Sequence, residues 1–136
     1  MHEYSGSCLC GTVAYTIIGK ADRFYHCHCR RCRKVTGAAH ASNLLLPDVE
    51  SAQFTRGADH VTFYKLPDAI RFSTCFCQTC GSKLPRILPA LNLVVIPAGS
   101  LDHEPVESPQ AHIFNDSRAS WDCGAGDLPN FEAYPT

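Results

Sequence analysis

Long apolar runs are missing from this 136-residue sequence. No stretch approaches the roughly 20 residues that a membrane-spanning helix requires, so no membrane partner is expected. Charge of one sign is missing too. Twelve lysines and arginines face 13 aspartates and glutamates, a formal net charge of -1, and that balance draws the chain neither to nucleic acid nor to an anionic membrane. The opening MHEYSGSCLCG lacks the basic-then-apolar layout of an export leader, which makes the reducing cytoplasm the expected location. Repeats, low-complexity tracts and linkers do not occur. The length suffices to bury one core and is too short for two, so one domain over residues 1–136 is expected. Uninterrupted helical stretches are scarce, because nine prolines and nine glycines are spread along the chain. RRCRKVTG (30–37) offers a short helical turn ended by Gly37.

What the chain has instead is a series of short runs rich in β-branched and aromatic residues. They are TVAYTII (12–18), HASNLLL (40–46), VTFYKL (61–66), IRFST (70–74), LNLVVIPAG (91–99) and AHIF (111–114). Most are four to eight residues long and bounded by Gly, Pro, Asp or Asn, the pattern of strands. TVAYTII first alternates and then turns apolar throughout, as a strand buried on one face and partly on the other does. The expected fold class is mainly β, with small sheets and metal knots in place of a large continuous core.

Cysteine is the abundant residue: nine of 136. The odd count and the missing export signal argue against a disulfide framework, and C-x-C and C-x-x-C spacings suit metal ligation. In CFCQTCGSKL, the C-x-x-C-G of Cys77 and Cys80 has the form of a zinc knuckle, with Gly81 free to turn left-handed. One knuckle supplies two ligands. Cys8 and Cys10, also followed by a glycine, are the available second pair, and a four-cysteine site from 8, 10, 77 and 80 would close a loop of about seventy residues. Cys27, Cys29 and Cys32 then form a self-contained triplet. Two strand residues at i and i+2 share a face, and a turn brings the third round. Three protein ligands with an exchangeable position mark catalytic zinc, whereas four close a structural site. The neighbouring Arg30, Arg31, Arg33 and Lys34 would offset the charge of either form, and His26, His28 or His40 is available to close the site. Cys75 is either a substitute for Cys77 or an inert buried thiol, and Cys123 reads as a core or surface thiol. His2, His60 and His112 have no partner spacing and read as ordinary side chains.

Taken in order, GSCLCGTVAYTI (6–17), CHCRRCRKVTGAA (27–39), FCQTCGSKL (76–84), VIPAGSLD (95–102) and HIF (112–114) give the chain a family resemblance. It resembles the glutathione-dependent formaldehyde-activating enzymes, also known as the centromere-protein-V-like zinc domain, from Gly6 to about Pro129. The resemblance implies a β-tent-like fold of several small coiled antiparallel sheets built around two zinc sites. Cys8, Cys10, Cys77 and Cys80 match the family's structural four-cysteine site. Cys27, Cys29 and Cys32 match its second, three-cysteine site, taken to be catalytic and able to lose its metal. The implied activity combines glutathione with formaldehyde to S-hydroxymethylglutathione, formally a carbon–sulfur lyase run backwards.

On this reading a substrate thiol such as glutathione binds at the triplet, where coordination deprotonates it. Its carboxylates have candidate holders in Arg30, Arg31, Arg33 and Lys34, whose plainer reading is a solvated basic turn. His26 and His28 flank the ligands as candidate acid/base groups, although at i and i+2 they favour the face opposite the cysteines. Trp121 reads as a pocket wall or as a packing anchor of the tail. The competing function is a non-catalytic zinc module whose basic turn contacts an acidic partner. Nucleic acid is disfavoured by the acidic remainder and by the lack of aromatic residues between the basic ones.

Overall fold

The computed structural model describes residues 1–122 and 125–135. Its strands are β1 (His2–Ser7), β2 (Ala14–Gly19), β3 (Arg23–Cys27), β4 (Ala41–Pro47), β5 (Ser51–Arg56), β6 (Val61–Lys65), β7 (Ser73–Cys77), β8 (Arg86–Leu88), β9 (Leu93–Pro97) and β10 (Ala111–Ile113), with one α-helix, α1 (Arg30–Thr36), between β3 and β4. The fold is mainly β, as the short apolar runs imply. Among the described residues no helix is long and apolar enough to cross a membrane.

Three small sheets result. β2 is the centre of the first, flanked by β1 and β5 in the order β1-β2-β5, all antiparallel. The second has five strands, β10-β3-β4-β9-β8, antiparallel except where β10 runs parallel to β3. The third is the β6-β7 pair. Alternation in β2 buries Tyr15 and Ile17, and the corresponding face of β4 buries Leu44 and Leu46. These side chains meet Val94, Ile96 and Leu84 in one core, whose edge includes the sulfurs of Cys8 and Cys77. The cluster of Cys8, Cys10, Cys77 and Cys80 is thus built onto the core's margin.

At the core's other margin, Tyr15 Oη lies 2.7 Å from Ser100 Oγ. Burial pushes this hydroxyl from 10.0 up to about 12, against the partly offsetting bond to Ser100. Above pH 10 the unfolded chain sheds a proton that the folded chain keeps, so stability falls as pH climbs toward 12. For one phenol raised by about two units the loss is about 2–3 kcal/mol. Alkaline denaturation series should show this slope, and Tyr15→Phe should reduce it by that amount.

Candidate metal centres

The first centre is two matched turns. Cys8 opens one of them, with the Gly11 amide donating to the Cys8 carbonyl at 3.0 Å and the Val13 amide to Cys8 Sγ at 3.2 Å. Cys77, at the end of β7, opens the other, where the Gly81 amide donates to the Cys77 carbonyl at 2.8 Å and the Cys77 amide to the Ser82 carbonyl at 2.9 Å. Gly11 and Gly81 sit at φ +80 and +75, left-handed values that a side chain would penalise. The Leu9 amide donates to Ser82 Oγ at 3.0 Å and ties the turns together. Cys8, Cys10, Cys77 and Cys80 thereby bring four sulfurs within 4.8 Å of one another. Sγ of Cys8 and Cys10 are 3.6 Å apart, and those of Cys10 and Cys77 are 4.0 Å apart. A tetrahedral ion with Zn–S bonds of about 2.3 Å needs sulfurs about 3.8 Å apart, so this set fits zinc. Hydrogen bonding with the Ser82 hydroxyl and backbone pulls the Cys80 thiol down to about 5, toward the thiolate form that a metal takes.

The second centre lies where β3 runs into α1. Cys27 ends the strand, and Cys29 caps the helix with extended backbone (φ -63, ψ 154), its sulfur accepting from the Cys32 amide at 3.3 Å. Helix α1 stops at Gly37. The sulfurs of Cys27, Cys29 and Cys32 also lie within 4.8 Å of one another. Burial raises the Cys27 and Cys32 thiols. It would raise Cys29 as well, but hydrogen bonds from the Cys32 amide and the two neighbouring thiols bring Cys29 below the ordinary thiol range.

This triplet opens into a cleft of about 1180 Å³. Five arginines line it, Arg23, Arg30, Arg31, Arg71 and Arg86, against one carboxylate, Asp68. The Arg31 guanidinium stands 5.9 Å from the centre of the Phe72 ring. Arg86, on β8, is half-buried, and its guanidinium makes no hydrogen bond or ion pair among the described residues. Burial lowers its pKa, while the thiols of Cys32, Cys75 and Cys27 hold its charge in place.

The other residues singled out in the sequence fall in different places. Arg31 faces the cleft, Arg30 borders both the cleft and an outer recess, and Arg33 and Lys34 line only that recess, with Gly37, Ala38 and Trp121. Arg33 Nη1 donates to the Ser117 carbonyl at 3.0 Å, and Trp121 is exposed. His26, His28 and His40 do not line the cleft and join neither cysteine cluster. Cys75 is buried, its thiol pushed up to about 11 by burial, and also joins neither. Cys123 lies outside the described residues. Arg86, Arg71 and Arg23 had no local sequence signal: β8–β9 pairing brings Arg86 to the triplet, Arg71 lies in the connection before β7, and Arg23 starts the strand that Cys27 ends.

A model of the glutathione-dependent formaldehyde-activating enzyme family matches residues 3–117. The chain belongs to this family. The matched span contains both sets of converging thiols and all five arginines of the cleft. The crystal structure of a Rhodobacter sphaeroides protein is similar in fold, with a TM-score of 0.53 and 20% identity over 79% of this chain and 98% of that one. A search among curated proteins finds no significant match to the chain.

Proposed function

We propose that this member of the glutathione-dependent formaldehyde-activating family is a zinc-dependent, carbon–sulfur lyase-type enzyme. Its substrate is the thiol adduct of a small aldehyde, of the S-hydroxymethylglutathione kind. Cys8, Cys10, Cys77 and Cys80 hold a structural zinc; Cys27, Cys29 and Cys32 hold a second zinc with a position left for substrate. One observation carries the reading. Among the described residues, three converged thiols with no fourth sulfur or imidazole open onto a large cleft ringed by five arginines. Zinc at that triplet would supply Lewis acidity and keep a substrate thiol deprotonated.

The chain's own part is to hold and orient. Guanidinium groups bind carboxylates in paired, charge-assisted hydrogen bonds, and glutathione carries two carboxylates. Arg86, without a partner and set deep beside Cys27 and Cys32, is placed to take one of them. Arg31, turned into the cleft at the start of α1, and Arg30 on its border are placed to take the other. In adduct breakdown the electrons of the carbon–sulfur bond return to sulfur, while the hydroxyl loses its proton and closes the carbonyl. The cleft is open, so water can accept that proton without a buried relay. His26 and His28, behind the sheet, are not needed for it. Two of the four groups of the basic turn border the cleft, which favours a small anionic substrate over an acidic protein partner.

Titration of glutathione into zinc-loaded protein tests this reading, alongside formation of the adduct from labelled formaldehyde followed by NMR. Saturable binding at or below millimolar concentration is expected. Arg86→Met should weaken binding by roughly tenfold to a hundredfold, the loss expected of a charge-assisted bond. Its melting temperature should hold or rise, because an unpartnered, half-buried charge costs stability. Absence of saturable binding to the wild type would remove glutathione as substrate.

A further inference from the structure

The floor of the cleft is one face of the five-stranded sheet, and strand register orders what it presents. Arg86, Val95, Leu45 and Arg23 stand opposite one another in a single row across β8, β9, β4 and β3. Two guanidiniums thus end a row whose middle is apolar. Along β3, Tyr25 separates Arg23 from Cys27 on the same face, since residues at i and i+2 point together. At roughly 3.3 Å per residue, Arg23 and Cys27 lie about 13 Å apart from Cα to Cα.

Glutathione does not use all of this. Its two carboxylates are matched by Arg86 and by Arg30 with Arg31, and its ammonium by Asp68, the one carboxylate of the cleft. Arg23 is left over at the far end of the row. Its Nε is held by Asp22 Oδ1 at 2.9 Å, which steadies the guanidinium and leaves both Nη groups without a partner among the described residues. An apolar wall is left over as well. Ile70, in the β6–β7 connection, is 90% exposed and Phe114, just after β10, is 64% exposed, and both line the cleft. Phe114 holds left-handed backbone, φ 53 and ψ 40, a conformation that a bulky side chain rarely adopts. Strain of that kind gathers where a side chain serves a ligand. A one-carbon aldehyde at the triplet is too short to meet Arg23 and buries almost none of this wall.

Given the cleft reading above, on which this assignment rests, we propose that the aldehyde half of the substrate is an ω-oxo acid. Its reacting carbonyl sits at the triplet and its carboxylate on the Nη groups of Arg23. A chain of about six carbons, with bonds of about 1.5 Å and a contact at each end, covers the distance from Cys27 to Arg23. Tyr25 and Leu45 are the floor under its methylenes, and Ile70 and Phe114 are the exposed apolar side chains available to cover them. In the step itself the glutathione sulfur bonds to the aldehyde carbon. The π electrons of the carbonyl go to its oxygen and the thiol proton ends there, so nothing is oxidised or reduced. Each methylene buried favours the longer aldehyde by roughly fourfold. The carboxylate adds about tenfold, and not more, because Asp22 already shares the charge of a partly exposed Arg23.

Exchange between free and glutathione-bound aldehyde, followed by NMR with the zinc-loaded full chain, tests the assignment on formaldehyde, hexanal and 6-oxohexanoate. Each rate is divided by the uncatalysed rate in the same buffer, which removes the aldehydes' own reactivities. The expected order of enhancement is 6-oxohexanoate, then hexanal, then formaldehyde, with about tenfold between the first two. Arg23→Gln should bring 6-oxohexanoate down to the level of hexanal. Ile70→Ser, at a site exposed enough to spare the fold, should narrow the gap between hexanal and formaldehyde several-fold. Equal enhancement of hexanal and 6-oxohexanoate by the wild type would overturn the assignment, as would a preference that survives in Arg23→Gln. Formaldehyde enhanced most, with glutathione bound, would overturn it while leaving the cleft reading in place. Absence of glutathione binding is the separate outcome that removes both.

Discussion

Cys77→Ser is expected to leave the chain without a cooperative unfolding transition. The residue ends β7 and is fully buried at the margin of the core, with its sulfur 4.0 Å from that of Cys10. A neutral serine hydroxyl cannot replace a thiolate there. Structural zinc contributes about 10–16 kcal/mol in small zinc-binding peptides, and a domain's entire stability is about 5–15 kcal/mol. Part of that contribution is topological: the Cys10–Cys77 crosslink spans 67 residues, and closing a loop of that size is worth about 4 kcal/mol. Losing the site therefore removes as much free energy as the fold has to lose. Cys75→Ser is the control, two residues upstream and also buried but outside the cluster. It should cost only about 1–3 kcal/mol, the penalty for a buried hydroxyl with a poor partner. Near-UV circular dichroism, thermal melts and cobalt charge-transfer intensity would check both variants. A cooperative melt in Cys77→Ser close to that of the wild type would show that the four-cysteine knot does not hold the fold.

Each cysteine turn was legible in the sequence because its geometry is local, while the meeting of the 8/10 and 77/80 pairs, 67 residues apart, was read only from the lack of another free pair. C-x-C, C-x-x-C and a following glycine specify a turn that converges sulfurs whatever surrounds it, and both sets form as that spacing implies. β2, β4, β6, β9 and β10 were legible within a residue or two, since each carries an apolar run that ends at a turn residue. β7 lies three residues downstream of the expected IRFST: strand Ser73–Cys77 uses Cys75 and Cys77 as its core-facing residues, and a cysteine counted only as a ligand hides its apolar burial. β3 was hidden in the same way, because RFYHC ends in the ligand cluster. β1 and β5 are the polar edges of their sheet. HEYSGS and SAQFTR alternate in burial but carry no run of large apolar residues to mark them as strands. Arg86 and His112 were illegible for another reason. Arg86 reaches the cleft because β8 pairs with β9, setting it opposite Val95, and His112 meets His26 through the parallel register of β10 on β3. Neither pairing leaves a trace in the residue pattern around the side chain concerned.

Cys29→Ser is expected to abolish thiol–aldehyde exchange while the fold stays intact, the opposite of Cys77→Ser. Cys29 stands at the helix cap rather than in the core, half-exposed to the cleft, with its sulfur accepting from the Cys32 amide. Serine is among the best residues for that cap, so the local hydrogen bond survives and the melting free energy should change by less than about 1 kcal/mol. The chemistry has no such substitute. Of the three thiols, Cys29 is the one whose surroundings favour the thiolate, while burial holds Cys27 and Cys32 protonated in the absence of metal. Removing it leaves two thiols, both raised, and a site too weak to hold its ion. With several kcal/mol of transition-state stabilisation lost, the rate should fall roughly a thousandfold or more. The same site should be the first of the cysteine centres stripped by a mild chelator, since it has three sulfurs where its neighbour has four. Rate measurements, thermal melts and thiolate-bound cobalt counted together decide the matter. Loss of one thiolate-bound ion with an unchanged melt and no activity is the expected set. Activity within about tenfold of wild type, or a lost melt, would mean that the triplet is not the reacting centre.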